Sequence, residues 1–585
     1  MTQYLGDGSS HGLAALLLTE TLQYSKHVLH QPAFVLYLDA RAAFDNVLIP
    51  LLIRNLYICG TVGEGLSYIN NRLVSRKTYP EWNKTLMGPI NDEVGVEQGG
   101  VNSGDFYKIY AKRQLQMAQD SKLGVKLPGD IVVSAIGQAD DTVLVANDLQ
   151  NLQSLLLLSQ YYCAKFNVEL CSEKTVLQGF APKKEVFEFE YLKKYSPVNI
   201  KDKKVGFHDT AEHVGVIRAV TGNLPHVIHR ISAHKKAVGA VLQNGLAQSH
   251  RANHAARLKV EQIYGTPVLL SGLSSLVLTK HETTLVTFHH RETLQRLLRL
   301  FPKTPQSVIY FLSGSLPGEG LLHLQQLALF GMITRQQHSI LHKHACNALT
   351  SKVKSWSWFQ QLREVCLQYQ LPHPLTFLAS PLPKEDFKLL VKKHVINYWE
   401  IKLRQEVSEL SSLKYFQPQY MSLVKPHHLL TTAGSSPYEV TKAGVQAILL
   451  SGRYRTELLC RHWSNNPEGF CLTPSCNGQD IMEDIEHILA SCKSLAPTRV
   501  RLAQFTSNYV KNIPVLAQLV LELSQPTHKL FVQFLLDCSA IPSVITLTQL
   551  HGKHILSHLF KITRTWCYSL HKKRLQILGR WAYDC

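Results

Sequence analysis

Three aspartates lie where short apolar segments end. Asp39 follows residues 34–38 (FVLYL), and Asp140 and Asp141 lie between two further apolar segments, VVSAI and TVLVA. Two apolar segments separated by GQADD predict a β-hairpin with both carboxylates at its turn. Carboxylate oxygens suit Mg²⁺, and carboxylates held this close would raise one another's pKa without a metal. The pattern therefore predicts a site for two divalent ions, which activate a hydroxyl and stabilise a leaving oxygen in phosphoryl transfer.

Each acidic position also has an ordinary structural explanation. A pair of aspartates at a turn is commonly a solvated surface feature, and an aspartate after a strand commonly caps the next helix. Their order along the chain, with a strand, an acid and a helix followed by an acidic hairpin, favours the metal site.

A second group of residues suits zinc. Cys471, Cys476, His487 and Cys492 have the spacing C-x4-C-x10-H-x4-C, and three thiolates with one imidazole fit tetrahedral coordination. Buried cysteines that act only as small apolar residues are the alternative. Cys460 and His462 lie nearby, and spacing alone does not exclude either of them as a ligand.

Apolar periodicity indicates the elements that carry these residues. Residues 12–29 and 44–57 have helical spacing, and residues 34–38 are typical of a buried strand. Residues 530–547 (LFVQFLLDCSAIPSVITL) approach the length of a membrane span, but Asp537 interrupts them. We interpret this segment as a buried helix.

The charge balance favours a polyanionic partner. Lysine and arginine outnumber aspartate and glutamate by 62 to 43 in the 585 residues, for a net charge of +19. Basic side chains that neutralise phosphates release condensed counterions, so nucleic acid is the expected partner. The sequence shows neither the basic amphipathic helix typical of membrane binding nor a secretory signal. We expect an intracellular protein without membrane partners, and the sequence does not distinguish nucleus from cytoplasm.

Four segments together resemble a known family. FVLYLDARAAFDNV, GVEQGGVNSGDFYKIY, GQADDTVLVAND and ELCSEKTVLQGF resemble the palm motifs of reverse transcriptases, most closely those of non-LTR (LINE-type) retrotransposons. The resemblance implies an α+β fold, in which a right-hand palm of antiparallel sheet and helices precedes a helical thumb, a helical connector and a CCHC zinc knuckle. The implied divisions are a remnant of fingers (1–32), the palm (33–180), a basic linker or insertion (181–206), a thumb-like helical domain (207–335), a helical connector (336–455), the zinc knuckle (456–500) and a C-terminal helical region (501–585).

The resemblance assigns catalytic roles to four residues and a binding role to a fifth, Ala40. It implies that Asp39, Asp140 and Asp141 bind two Mg²⁺ ions, with the backbone carbonyl of Ala40 as a further ligand. It also implies that Lys174 donates a proton to the leaving pyrophosphate.

Further positions would contact the nucleotide and template. Phe44 corresponds to the steric gate that excludes a ribose 2′-hydroxyl, although it could simply anchor the following helix in the core. Gln98 and Gly99 correspond to the loop that contacts template and nucleotide. Gln138 and Ala42 depart from the family, which usually has an aromatic residue and a basic or amide residue there, so primer gripping would differ.

The implied activity is RNA-directed DNA polymerisation. A dNTP would be added to a primer 3′-hydroxyl on an RNA template, with two Mg²⁺ ions, and Zn²⁺ would hold a knuckle that grips template RNA or target DNA. Only residues 1–32 precede the first palm strand, so we expect a truncated element with weak or no activity. A non-catalytic nucleic-acid-binding protein derived from a retrotransposon is the alternative, and a mobile-intron maturase is a third. The sequence does not determine the oligomeric state.

Overall fold

Helices form most of the protein, and its short strands all lie before the sixth helix in the described residues. The computed structural model describes residues 11–74, 76–97, 99–181, 198–200, 203–241, 253–351, 357–462 and 465–580. The strands are β1 (Ala33–Leu38), β2 (Ala40–Arg41), β3 (Lys77–Thr78), β4 (Glu81–Trp82), β5 (Thr85–Leu86), β6 (Ile90–Asn91), β7 (Val125–Leu127), β8 (Ile131–Val133), β9 (Ala135–Gln138), β10 (Asp141–Ala146), β11 (Glu169–Leu170), β12 (Val176–Phe180), β13 (Asn199–Ile200), β14 (Lys203–Lys204), β15 (Gly206–Phe207), β16 (Thr210–His213) and β17 (Val216–Ala219). The α-helices are α1 (His11–Tyr24), α2 (Ile49–Ile58), α3 (Gly63–Val74), α4 (Ser103–Asp120), α5 (Leu149–Lys165), α6 (Leu224–Val241), α7 (His254–Val260), α8 (Thr266–Leu270), α9 (Lys280–Leu297), α10 (Gln306–Ser313), α11 (Gly318–Thr334), α12 (Ile340–Thr350), α13 (Trp358–Gln368), α14 (Pro374–Ala379), α15 (Lys384–Glu409), α16 (His428–Thr431), α17 (Pro437–Leu450), α18 (Glu457–Cys460), α19 (Ala496–Val510), α20 (Pro514–Leu523), α21 (Phe531–Leu536), α22 (Pro542–His551) and α23 (His554–Ile577).

The three aspartates lie at one end of a five-stranded sheet with the order β15-β12-β1-β10-β9. Neighbouring strands are antiparallel except β12 and β15, which are parallel. Leu38 pairs with Thr142, and Asp141 pairs with Gln138 across the hairpin. Asp39 therefore follows the last residue of β1 that pairs with the acidic hairpin. The predicted α+β fold and the predicted hairpin are confirmed.

One face of the sheet packs on two helices. Phe34, Leu36 and Leu38 alternate along β1 and belong to a buried cluster that includes Leu115 of α4 and Leu155 of α5. Burying an aliphatic or aromatic side chain of this size contributes about 1.5–3 kcal/mol, so this face fixes the strand register.

A second buried cluster lies beside the loop after Asp39. It joins α2, α3 and α4 through residues such as Leu52, Leu73 and Tyr110, and Phe44 packs against it. Tyr110 donates a hydrogen bond to the Phe166 carbonyl, so α4 is also tied to the end of α5.

Contacts divide the chain into two compact units. The first lies within Met1–Arg230, Leu270–Glu282 and Leu322–His394, and the second within Ile231–Leu269, Thr283–Leu321 and Val395–Cys585.

In the second unit α17 packs on α23, where Gln446 donates to the Leu535 carbonyl and to Thr563 Oγ1 at 2.7 and 3.0 Å. Its largest fully buried side chains include Trp566 and Arg574 of α23. This long helix is therefore the centre of the unit.

The prediction of one buried helix over residues 530–547 is wrong. The Asp537 carboxylate accepts hydrogen bonds from the Ser539 N–H and hydroxyl at 3.1 and 2.6 Å, so α21 ends there and α22 begins at Pro542. Asp537 is fully buried, and His427 Nε2 lies 3.4 Å from its carboxylate. Across the described ranges, no helix has the length and apolar character needed to cross a membrane.

The prediction of a helix from residue 44 is also wrong at its start. The carbonyls of Phe44 and Val47 accept hydrogen bonds from the N–H groups of Val96 and Gly95 at 2.9 and 2.8 Å, instead of from residues four positions further on. Helix α2 begins only at Ile49, with Pro50 in its first turn. Long-range bonds thus replace the first helical turn.

Short strands occur where the sequence shows little periodicity. Residues 182–197 and 201–202 of the expected linker lie outside the described residues, but β15 extends the main sheet. β16 and β17 form a hairpin at the start of a region expected to be mostly helical, and β16 packs near β12. The turn residues Val214 and Gly215 both have positive φ, which suits a tight hairpin.

Gly95 is required where the chain passes the loop that contains Phe44. Its φ is +89°, and a Cβ there would lie 2.8 Å from the Asp45 carbonyl oxygen. Gly95→Ala should lower the free energy of unfolding by at least about 2 kcal/mol, because the backbone must shift and an L-residue is strained at this φ. Urea denaturation monitored by circular dichroism measures the loss. Gly104→Ala is the matched control, since a Cβ there meets open space; equal stability of the two variants would contradict the assignment.

Ala139 is strained beside the acidic pair. Its φ is +55°, a conformation that costs an L-alanine about 1–2 kcal/mol. Glycine avoids this strain but loses more conformational entropy on folding, so it recovers only part of that free energy. Ala139→Gly should therefore raise the free energy of unfolding by about 0.5–1 kcal/mol in the same denaturation experiment. Ala135→Gly, in β9 without a positive φ, should instead lower it. A loss of stability in Ala139→Gly would show that the turn is unstrained.

Candidate functional site

A cleft of about 340 Å³ collects most of the predicted catalytic residues. It is lined by Asp39, Ala40, Arg41, Ala42, Ala43, Phe44, Asp45, Asp140, Cys171, Glu173 and Lys174. Asp39 and Asp140 come from the end of β1 and the β9–β10 turn, whereas Lys174 lies in the loop before β12. The side chains of Asp140 and Lys174 are exposed, and Asp39 is half-buried.

The acidic residues are close enough to interact electrostatically. Loss of solvation raises the pKa of Asp141, and the carboxylates of Asp140, Glu212 and Asp39 raise it further, while His11 opposes them. Asp141 does not line the cleft itself, but it occupies the first position of β10 beside Asp140. The raised pKa of Asp141 thus reflects burial first and the neighbouring carboxylates second, and divalent cations would relieve the repulsion among these carboxylates.

The backbone of Asp39 is held on both sides by the loop before β12. The Asp39 N–H donates to Thr175 Oγ1 at 3.3 Å, and its carbonyl accepts from the Cys171 N–H at 2.8 Å. Thr175 and Cys171 are buried, so these bonds lie inside the protein. The loop that presents Lys174 to the cleft therefore also fixes Asp39. Sequence reasoning did not identify Thr175 or Cys171, because each looks like an ordinary strand or core residue.

Phe44 both lines the cleft and packs on the core. Its ring is half-buried and stacks on Tyr107 with the ring centroids 5.0 Å apart and an interplanar angle of 29°. The steric-gate and core-anchor interpretations are therefore compatible, because one side of the ring packs on α4 while the residue also borders the cleft.

The remaining predicted positions surround this arrangement. Gly99 is exposed with a φ of +88°, which favours glycine, and Gln98 lies outside the described residues. Gln138 is buried, and its Oε1 has no hydrogen-bond partner within the described part of the chain. It faces Asp141 across the hairpin, next to the acidic turn.

The four predicted zinc ligands converge in the second unit. One potential ligand atom from each of Cys471, Cys476, His487 and Cys492 lies within 4.8 Å of the others, and all four residues are buried. The Cys476 and Cys492 sulfurs are 3.9 Å apart. His487 Nδ1 contacts Ser491 Oγ at 3.3 Å, whereas the buried Nε2 has no hydrogen-bond partner among the described residues. A buried imidazole nitrogen without a partner and three converging sulfurs fit a tetrahedral metal ligand set.

Charge in the cluster also favours metal binding. The hydrogen bond between Cys471 and Cys492 lowers the pKa of Cys492 and raises that of Cys471, so Cys492 is the thiolate of this pair, helped by His487 and Thr473 and opposed by burial. Thiolates are the form of cysteine that binds zinc. Cys460 and His462 are not part of the converging group, and His462 accepts a hydrogen bond from Arg461 instead.

A buried ion pair between Glu483 and Arg574 contacts the cysteine cluster. Glu483 Oε2 lies 3.7 Å from Cys471 Sγ, and Arg574 donates to the same carboxylate at 2.5 and 3.2 Å. Arg499 donates to the Cys492 carbonyl at 2.6 Å. Helix α23 is thus joined to the cluster by charge, a connection that the sequence spacing of the ligands did not indicate.

Comparison with known proteins agrees with the geometry of the cleft. No curated protein matches the chain. Residues 9–194 match the family described as reverse transcriptase (RNA-dependent DNA polymerase), and this range includes every residue that lines the cleft. This part of the chain is therefore similar to a reverse transcriptase domain.

Proposed function

We propose that the protein is an RNA-directed DNA polymerase of a non-LTR retroelement. The observation that carries the proposal is the cleft in which Asp39, Asp140, Phe44 and Lys174 meet inside a reverse transcriptase domain. A reverse transcriptase domain implies binding of a template, a primer and dNTPs, and the net charge of +19 suits a nucleic-acid partner.

Asp39, Asp140 and Asp141 are the residues that would hold two Mg²⁺ ions. Their hard oxygen donors fit divalent cations, and Ala40, whose carbonyl would be a further ligand, lines the cleft with Asp39 and Asp140. When bound, such ions supply activation of the primer hydroxyl and neutralisation of the triphosphate.

The reaction joins the primer to the α-phosphate of the nucleotide. The primer 3′-hydroxyl loses its proton to solvent and its oxygen forms a bond to the α-phosphorus, while the bond from that phosphorus to the bridging oxygen breaks and pyrophosphate leaves. Lys174 borders the cleft and would give its proton to the leaving pyrophosphate. Phe44 would lie under the incoming sugar and exclude a 2′-hydroxyl, so deoxynucleotides are selected. Gln98 and Gly99 would contact the nascent base pair.

The cysteine cluster has a separate role in the proposal. Cys471, Cys476, His487 and Cys492 would bind one Zn²⁺ ion as a closed structural site, because all four residues are buried. The folded segment around them would bind single-stranded template RNA or target DNA.

Asp140→Asn tests the catalytic proposal. Primer extension on poly(rA)/oligo(dT) with Mg²⁺ should fall by at least about 10²–10³-fold, because the neutral amide no longer balances the metal charge in the transition state. RNA binding measured by fluorescence anisotropy should stay unchanged. Asp130→Asn, an exposed acid outside the cleft, is the control and should extend normally. If the unaltered protein binds RNA but extends no primer, the protein is a non-catalytic nucleic-acid-binding protein instead.

Cys476→Ser tests the zinc proposal. The purified variant should contain less than about one tenth of the zinc of the unaltered protein, because a serine hydroxyl is a poor zinc ligand at neutral pH. Inductively coupled plasma mass spectrometry measures the metal per chain. Cys460→Ser is the matched control, since Cys460 lies outside the converging group, and it should retain full zinc content. Equal zinc in the two variants would exclude Cys476 as a ligand.

A further inference from the structure

The ring of Phe44 stacks on Tyr107 of α4 at the edge of a buried cluster. The two ring centroids are 5.0 Å apart at an interplanar angle of 29°, so the rings stack face to face. Tyr107 is 4% exposed, while Phe44 is half-buried and borders the cleft. The tyrosine therefore lies on the core side of the phenylalanine.

The main chain at Phe44 is already fixed. Its carbonyl accepts the Val96 N–H at 2.9 Å, and the Val47 carbonyl three residues further on accepts the Gly95 N–H at 2.8 Å. With the backbone held in this way, the remaining freedom of the Phe44 ring is rotation about its side-chain bonds. A stacked neighbour restricts that rotation.

Tyr107 is itself rigidly placed. Its ring lies 6.4 Å from that of Tyr110, whose hydroxyl donates to the Phe166 carbonyl. Burial and the nearby Asp140 carboxylate raise the pKa of Tyr107, so its hydroxyl stays neutral at physiological pH. The support under Phe44 thus belongs to the core of the domain and lies close to an acidic residue of the cleft.

We propose that Tyr107 is a positioning residue for sugar selection. Its stacked ring determines the position and orientation of the Phe44 ring at the cleft, where the incoming nucleotide would lie. This inference rests on the proposed function and on the gate role of Phe44 in it. A smaller, unstacked side chain at position 107 would let the Phe44 ring drop towards α4 and open space for a ribose 2′-hydroxyl. Loss of one stacked aromatic pair corresponds to about a three- to tenfold effect.

The experiment compares four variants with the unaltered protein. Tyr107→Phe keeps the ring, Tyr107→Leu removes the stack, Phe44→Val removes the gate, and Phe44→Val/Tyr107→Leu removes both. Single-nucleotide incorporation opposite template rA gives the ratio of kcat/KM for dTTP to that for UTP. Tyr107→Phe should leave this ratio unchanged, and Tyr107→Leu should lower it about three- to tenfold while most dTTP incorporation remains.

The double variant separates positioning from general damage to the fold. In the Phe44→Val background, Tyr107→Leu should leave the dTTP/UTP ratio unchanged, because no ring remains to be positioned. A further fall in the ratio there, or an unchanged ratio in Tyr107→Leu alone, would overturn the inference while leaving the polymerase proposal in place. Absence of dTTP incorporation by the unaltered protein would overturn the proposed function and this inference together.

Discussion

The antiparallel pairing of β1 with β10 determines where negative charge accumulates in the first unit. Leu38 and Thr142 pair near the sheet end, so the chain leaves β1 at Asp39 beside the turn that carries Asp140 and Asp141. A shift of one residue would turn Leu36 and Leu38 out of the buried cluster, which makes this register costly to change. Hydrophobic burial thereby holds together carboxylates that repel one another.

The loops around these acids are held by contacts between distant segments. Asp39 is hydrogen bonded to Thr175 and Cys171, and the Phe44 loop is hydrogen bonded to residues 95–96. Ala42 and Ala139, next to the two acidic segments, have φ values of +46° and +55°. Strained residues of this kind persist only where surrounding structure determines the backbone, and they concentrate at functional sites. The strained residues and the long-range hydrogen bonds therefore lie beside the same aspartates that form the acidic cluster.

Features that depend on neighbouring residues in the chain could be predicted from the sequence. Short continuous apolar segments predicted β1 and the acidic hairpin, and cysteine spacing predicted a group whose ligand atoms lie within 4.8 Å of one another. Contacts between distant residues were not predictable in the same way. In the sequence Tyr107 resembles any other helical residue, because its stacking on Phe44 depends on how α4 packs against the Phe44 loop. Strand β15 is too short to predict without its partner β12. The helix break at Asp537 depends on a side-chain bond to Ser539, which apolar periodicity does not report.

The aspartate cluster and the cysteine cluster differ in the exposure and the number of their ligand atoms. Around Asp140 and Lys174 the donors are exposed oxygens and an amine at an open cleft, so a bound ion would keep positions for water and phosphate. At Cys471 and its three neighbours the four donors are buried, so a tetrahedral ion bound there, as we propose, would keep no position for a substrate. The buried pair of Glu483 and Arg574 joins that second cluster to the central helix of its unit, because the Cys471 thiol donates to the Glu483 carboxylate at 3.7 Å. A closed, buried ligand set tied to a central helix suits a structural metal, whereas an open cleft leaves room for a substrate, so we propose a stabilising role for the cysteine cluster and a catalytic role for the aspartates.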